Sequence, residues 1–447
     1  MRKILCVLIE VACIVAGCAG SPSTAVPAST PSLEASQADA DGRSLAFVKL
    51  LAAGEFEGAF GQLDDGMKRA VGTWQQLGAV WIRASQAVGD SAELRIDERH
   101  QKEEHAVRIL QLDGARGSLR PLISVGQDGR IAGMYFLPPK PRATQPPLAD
   151  PRSANRSIAL TIGSAHGALP ATLTKPTGDG PHPAVLLVAG SGPHDRDETV
   201  GPNKPFRDLA DQLAAEGVAS LRYDKRTHAH PRAIDVHTLT VEEEVIADAV
   251  AAADQLAAHG DVRRDCVLVV GHSLGALLAP EIAARAKAVA ATVLLAAPGR
   301  PVSEVAVQQL RFLGQLPEAE LQRLEQQASD LRAGKLAPSD TFLSVPVRYW
   351  TDLDRRDEIA IARKLGKPLL YLRGARDYQV LAQDLDAWRR GLGASTTASF
   401  ETLAELNHLF IRSEGPPGPA EYERSGTVAP AVAARIARFV QSSCPKK

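Results

Sequence analysis

Cysteine is scarce: the 447-residue chain has five, of which Cys6, Cys13 and Cys18 crowd the first 18 positions and only Cys266 and Cys444 lie in the body. That count excludes a small scaffold stapled by several disulfides, and no paired CxxC elements are present to hold zinc. Neither sign of charge is in excess. Fifty-one Lys and Arg against 52 Asp and Glu leave a formal charge of −1, which provides no basic field for nucleic acid, so no nucleic-acid partner is expected. Glycine (36) and proline (30) are too few for a collagenous or wholly disordered chain, and 45% hydrophobic residues supply a sizeable core. The length predicts at least two domains. His228 and His230, with His237 nearby, lack a third ligand at matching spacing and read as a solvated loop, so neither metal nor cofactor is expected.

The apolar run Ile4 to Val15, preceded by Arg2 and Lys3, falls short of the roughly 20 residues that span a bilayer and reads as a signal peptide, although Glu10 opposes insertion. It ends in Val15-Ala-Gly-Cys18, which resembles the bacterial lipobox. Residues 1–18 are therefore expected to direct export, with Cys18 lipidated as the first residue of the mature protein and anchoring it to the cell envelope membrane. Ala19 in place of Asp resembles the pattern sorted to the outer membrane, facing the periplasm.

Ser21 to Asp41 is Ser, Pro, Ala and Thr with almost no large apolar side chain, so residues 19–42 read as a flexible tether. A second break, Pro138-Pro139-Lys140-Pro141 through Pro151, marks a linker over residues 139–156. Between them, residues 43–138 carry Phe56, Phe60, Leu63 and Met67, then Val71, Trp74, Leu77 and Trp81, at helical spacing. Strand-like segments follow at Ala92 to Arg99, Ala106 to Leu112, Leu119 to Val125 and Ile131 to Leu137, the last two joined by Gly126-Gln-Asp-Gly129. This is a small α+β domain whose aromatic stripe reads as core.

Residues 157–443 alternate apolar strand-like runs (Ala184 to Ala189, Val218 to Arg222, Val267 to Val270, Thr292 to Ala296, Leu369 to Leu372) with helical stretches. That alternation predicts a mostly parallel sheet with helices on both faces. Cys266-Val-Leu-Val-Val270 runs into Gly271-His-Ser273-Leu-Gly275 and then a helix former, which is G-x-S-x-G in strand-turn-helix context. Small residues are needed at both ends because the turn is tight, and Ser273 at the helix N-terminus is the candidate nucleophile. A serine needs a base. In the chain order Ser, acid, His, only His408 follows Ser273, so the ten earlier histidines are set aside. Among the carboxylates between them, Asp377 lies just past the apolar strand Pro368 to Leu372, whereas Asp352, Asp354 and Asp384 sit in charge-rich helical stretches and read as solvated. An oxyanion hole would combine the Leu274 N–H with one from the loop Ala189-Gly-Ser191-Gly192-Pro193, which Pro193 and the acids Asp195, Asp197 and Glu198 make a poor phosphate cradle.

Together with Leu221-Arg-Tyr-Asp-Lys-Arg-Thr227, Asp377-Tyr-Gln-Val380 and Leu406-Asn-His-Leu-Phe410, these motifs resemble those of bacterial α/β-hydrolases of the serine esterase type, and they span most of residues 157–443. The resemblance implies an α/β-hydrolase fold, a Ser273–His408–Asp377 triad with Leu274 and Ser191 or Gly192 as oxyanion donors, and hydrolysis of small-molecule esters of short acyl chains. The first domain resembles the cone-like domain that precedes many secreted hydrolases. Arg222, Tyr223, Asp224 and Arg226 are expected to brace the carboxyl edge of the sheet. Residues 299–365 form a helical insertion whose Leu310, Leu313, Leu316 and Leu324 supply an apolar face fit to cap Ser273. A peptidase, a thioesterase or acyltransferase with the same triad, and a non-catalytic binding lipoprotein remain as alternatives.

Overall fold

The computed structural model describes residues 33–85, 88, 93–102, 105–114, 118–137, 155–164, 167–314, 316–393 and 397–444. The expected signal peptide, Cys18, most of the tether and nearly all of the linker lie outside these residues. The described chain forms two compact units, one within residues 19–150 and one within residues 151–447.

The first unit opens with α1 (Leu33–Ala53), α2 (Phe56–Gly61), α3 (Asp65–Val71) and α4 (Trp74–Ser85). Its antiparallel sheet runs β1 (Glu93–Lys102), β2 (His105–Asp113), β3 (Ser118–Val125) and β4 (Ile131–Leu137) in sequential order. Asp64 caps α3 by accepting from the Met67 N–H at 2.6 Å. Phe47, Val48, Leu51, Leu77, Trp81, Leu110 and Ile123 fill the core between helices and sheet. Helix α1 corrects the expected tether, because ten of its residues fall within positions 19–42. Composition alone gives these Ala, Ser and Asp residues no reason to order, but Asp41 pairs with Arg99 at 2.8 Å and with the buried Arg108, and Ala40 is buried. Long-range pairing supplies what local hydrophobicity lacks.

The second unit is an eight-stranded sheet in which, from edge to edge, β14 (Ala398–Leu403), β13 (Leu369–Gly374), β10 (Val289–Leu295), β9 (Val262–His272), β7 (His182–Val188), β8 (Ala219–Tyr223), β6 (Gly167–Pro176) and β5 (Asn155–Ser164) lie side by side. An antiparallel hairpin of β5 (Asn155–Ser164) and β6 (Gly167–Pro176) forms one edge. The remaining strands pair in parallel through β7 (His182–Val188), β8 (Ala219–Tyr223), β9 (Val262–His272) and β10 (Val289–Leu295) to β13 and β14. Between them run α5 (Pro205–Ala215), the short α6 (Arg226–Ala229), α7 (Ala247–Ala257) and α8 (Leu274–Arg285). The two-residue period of a strand splits β7 between two cores: Val185 and Leu187 pack with Val270, Val293 and Leu295 on one face, Leu186 and Val188 with Val267 and Leu294 on the other.

The insertion after β10 contains α9 (Val302–Leu313), α10 (Glu318–Arg332), a two-residue pairing of β11 (Thr341–Phe342) with β12 (Val345–Pro346), and α11 (Val347–Asp354). Helix α12 (Glu358–Leu365), although within the expected insertion, packs on α8 as an ordinary crossover helix before β13 (Leu369–Gly374). The chain closes with α13 (Ala382–Leu392), β14 (Ala398–Leu403) and α14 (Pro430–Ser443). A disulfide joins Cys266 in β9 to Cys444 just beyond α14, bridging 178 residues.

Asp352, Asp354 and Asp384 are not solvated. Asp352 accepts from the Val241 N–H at 3.0 Å, and Asp354 accepts from the Val302 N–H at 2.8 Å at the start of α9. Asp384 accepts from the Gly299 and Leu381 N–H groups, each at 3.0 Å, and from Arg300. Each carboxylate satisfies backbone donors that a charge pattern cannot reveal.

Candidate active site

Strand β9 ends at His272 and α8 begins at Leu274, so Ser273 occupies a one-residue turn with φ 51° and ψ −114°. A positive φ at a non-glycine residue is strained and persists because its surroundings enforce it. A side chain at Gly275 would lie 2.2 Å from the Val188 carbonyl, and one at Gly271 would lie 2.1 Å from the Gly275 carbonyl. The close approach of three backbone segments is what demands glycine at both ends of the motif. Leu274 is the first residue of α8, so its N–H has no partner within the helix.

Asp377 lies in the loop after β13 and His408 in the loop after β14. The His408 Nδ1–H donates to Asp377 Oδ2 at 2.8 Å, while Asp377 Oδ1 accepts from the Gln379 and Val380 N–H groups at 2.8 and 3.0 Å. Arg373 holds the same loop through the Asp377 and Val380 carbonyls. With Nδ1 committed to a buried carboxylate, Nε2 is the His408 ring nitrogen left to act as a general base.

The loop after β7 brings Ser191 and Gly192 beside Leu274 in one cleft. The opposite wall comes from the insertion: Val302 of α9, Val345 of β12, and Tyr349, Trp350 and Leu353 of α11. The far part of the β7 loop is tied down by Arg222 within β8 and Asp224 just after it. Asp224 forks with Arg196 at 2.8 Å, and Arg222 pairs with Asp197 at 3.0 Å. Arg226 pairs instead with the buried Asp248 of α7. His228 and His230 each hydrogen-bond a backbone carbonyl, of Pro193 and Ala168.

Sequence reasoning overlooked two buried groups beside this cluster. His272, set aside because it precedes Ser273, has its ring centroid 4.6 Å from that of His408. Its Nδ1 faces Glu198 Oε1 and its Nε2 faces the His408 carbonyl, both at 2.9 Å. Since both partners are acceptors, the ring serves both as an imidazolium. Burial opposes that charge, but Glu198 outweighs it and raises the His272 pKa. Burial likewise opposes the Glu198 carboxylate, and His272 outweighs it, holding Glu198 below its ordinary range. The position of His272 inside G-x-S-x-G was the one available signal, and it does not say which way the ring turns.

A model of the Alpha/beta hydrolase family matches residues 185–417. Esterase EstD of Thermotoga maritima is 37% identical over 406 residues, covering 90% of this chain and 95% of that protein. The alignment is longer than the second unit alone, so the two share the first unit as well. Among solved structures, Est1E from Butyrivibrio proteoclasticus (18% identity, 64% of this chain, 98% of that chain, TM-score 0.43) and an esterase of Pyrococcus furiosus (16% identity, 65% and 92%, TM-score 0.42) are similar at a low level. With the family model matched over more than half of the chain, the chain belongs to the alpha/beta hydrolase family.

Proposed function

We propose that this protein is a serine hydrolase of carboxylic esters with short acyl chains, working through an acyl-enzyme. Ser273 Oγ attacks the ester carbonyl as His408 Nε2 takes its proton, and the imidazolium returns that proton to the departing alkoxide. Water then attacks the acyl-enzyme by the same route and releases the acid. Asp377 keeps the His408 tautomer and stabilises its charged form, while Leu274 N–H and an N–H of the Ser191–Gly192 turn receive the oxyanion. The observation that carries this reading is the 2.8 Å His408–Asp377 bond, on loops of the same sheet that strains Ser273 into its turn. The name of the 37%-identical esterase supports the ester class. The small apolar wall of Val302, Val345, Trp350 and Leu353 supports a short acyl group, because a longer chain would have to displace it.

A fluorophosphonate probe should label the wild type and not Ser273→Ala, and p-nitrophenyl acetate and butyrate should be hydrolysed faster than the decanoate. Labelling of Ser273→Ala would discard the nucleophile. Labelling of the wild type with turnover of peptides or thioesters only would discard the ester class.

Export and anchoring through lipidated Cys18 complete the proposal. The motif at positions 15–18 supports them, as does the Cys266–Cys444 disulfide, a bond that suits an oxidising compartment. Cys18→Ser should move the protein from the membrane to the soluble fraction of cells. An unchanged membrane fraction would refute the anchor.

A further inference from the structure

We infer that Lys225 and Glu198 are positioning residues that grip the two ends of Gly190 and thereby aim the Ser191 N–H at the oxyanion; the inference rests on the reading of Ser191 as a donor given above. Glu198 Oε1 accepts from the Gly190 N–H at 2.6 Å. On the other side Lys225 Nζ donates to the Gly190 carbonyl at 3.0 Å. Both side chains are buried, with Lys225 at 3% exposure and Glu198 at 1%.

The consequence follows from peptide geometry. The Gly190 carbonyl and the Ser191 N–H belong to one planar trans unit and point in opposite directions. An ammonium fixed on the carbonyl therefore fixes the direction of the N–H. A surface lysine would not do this, because its rotamer freedom and hydration compete with the bond. Here the ammonium is held from behind by Glu244 Oε1 at 2.9 Å, and Glu244 Oε2 accepts from the Tyr349 hydroxyl at 2.5 Å. Tyr349 is itself part of the cleft wall.

Glu198 acts on the preceding peptide. Its Oε1 takes both the Gly190 N–H and the His272 Nδ1–H, while Oε2 has no partner among the described residues, so its polar contacts all fall on this loop and on His272. Glu198 adopts φ 52°, a backbone conformation a non-glycine residue adopts at a cost. Through His272 the same carboxylate reaches the His408 carbonyl. One buried chain of charge thus runs from the cleft wall through the oxyanion loop to the loop of the base.

The test compares wild type, Glu198→Gln and the double variant Lys225→Met/Glu244→Gln, on an ester and on its thionoester, in which sulfur replaces the carbonyl oxygen. The double variant removes both charges of one pair, so no lone buried ion is left to unfold the protein. With melting temperatures near wild type, kcat for the ester should fall on the order of 10²-fold in the double variant, the scale of losing one oxyanion donor, with KM within about twofold. Sulfur accepts N–H bonds poorly, so the thionoester should lose much less and the wild-type preference for oxygen over sulfur should shrink. Glu198→Gln should shift the same ratio in the same direction. Should ester and thionoester fall alike, or kcat stay at the wild-type value, the positioning role is refuted. If the wild type shows no Ser273-dependent hydrolysis, the proposed function falls first and this inference with it.

Discussion

Asp377 and His408 sit 31 residues apart in sequence and 2.8 Å apart in space, because β13 and β14 are parallel neighbours whose carboxyl ends open on the same side. Asp377→Asn should therefore keep the fold and lower kcat by roughly 10⁴, since an amide no longer favours the required histidine tautomer. Asp384→Asn is the control: that carboxylate binds backbone N–H groups and Arg300 rather than His408, so its loss should cost stability and leave kcat within about threefold. Steady-state kinetics of both variants checks this, and the reverse pattern would show that Asp377 is not the acid.

Leu353 lines the cleft from α11, so Leu353→Ala should deepen it. The ratio of kcat/KM for a hexanoyl ester to that for an acetyl ester should rise by about tenfold, the scale on which pocket methylenes are discriminated. An unchanged chain-length profile would remove the insertion from the acyl site.

Glu358 is buried on α12 and its carboxyl pKa is pushed up to about 8 by burial and by the charge of Glu281. The native state holds this proton where the unfolded chain, titrating near 4.5, has released it. The contribution to stability is therefore fully present below about pH 4.5, declines as pH rises, and is lost by about pH 8. Glu358→Gln abolishes that titration. Its melting temperature relative to wild type should be higher at pH 9 than at pH 5, and a pH-independent difference would contradict the assignment.

The Cys266–Cys444 bond closes a 178-residue loop and ties the strand that leads into Ser273 to the end of the last helix. Reduction should lower the unfolding free energy by roughly 2–5 kcal/mol. Guanidinium unfolding with and without reductant measures this, and coincident midpoints would show that the bond contributes nothing.

The parts of the site legible in the sequence were those whose chemistry depends on chain order and local turns. Gly271, Ser273 and Gly275 declare themselves because a one-residue turn between a strand and a helix tolerates few residues. His408 stands out because no other histidine follows Ser273. The parallel strands are readable because both of their faces are buried, which makes them continuous apolar runs. The β5–β6 hairpin was less legible, since an edge strand mixes polar and apolar residues and carries no such run.

Other features needed the tertiary structure, because they depend on partners distant in sequence. Asp39 to Gly42 look like tether by composition and are helical because Arg99 and Arg108, about sixty residues away, meet Asp41. Asp352, Asp354 and Asp384 read as surface charge until the backbone donors of Val241, Val302 and Gly299 come within reach. Glu198 and Lys225 were acids and bases of a motif until folding closed them on the two sides of Gly190. Chain order and hydrophobic period determined the fold class and the strand-turn-helix that carries Ser273, since both are local properties of the covalent chain. Which buried charges pair, and therefore what holds the Gly190–Ser191 loop and shapes the cleft, was decided only in three dimensions, because the cost of burying an ion is settled by whichever partner the fold delivers.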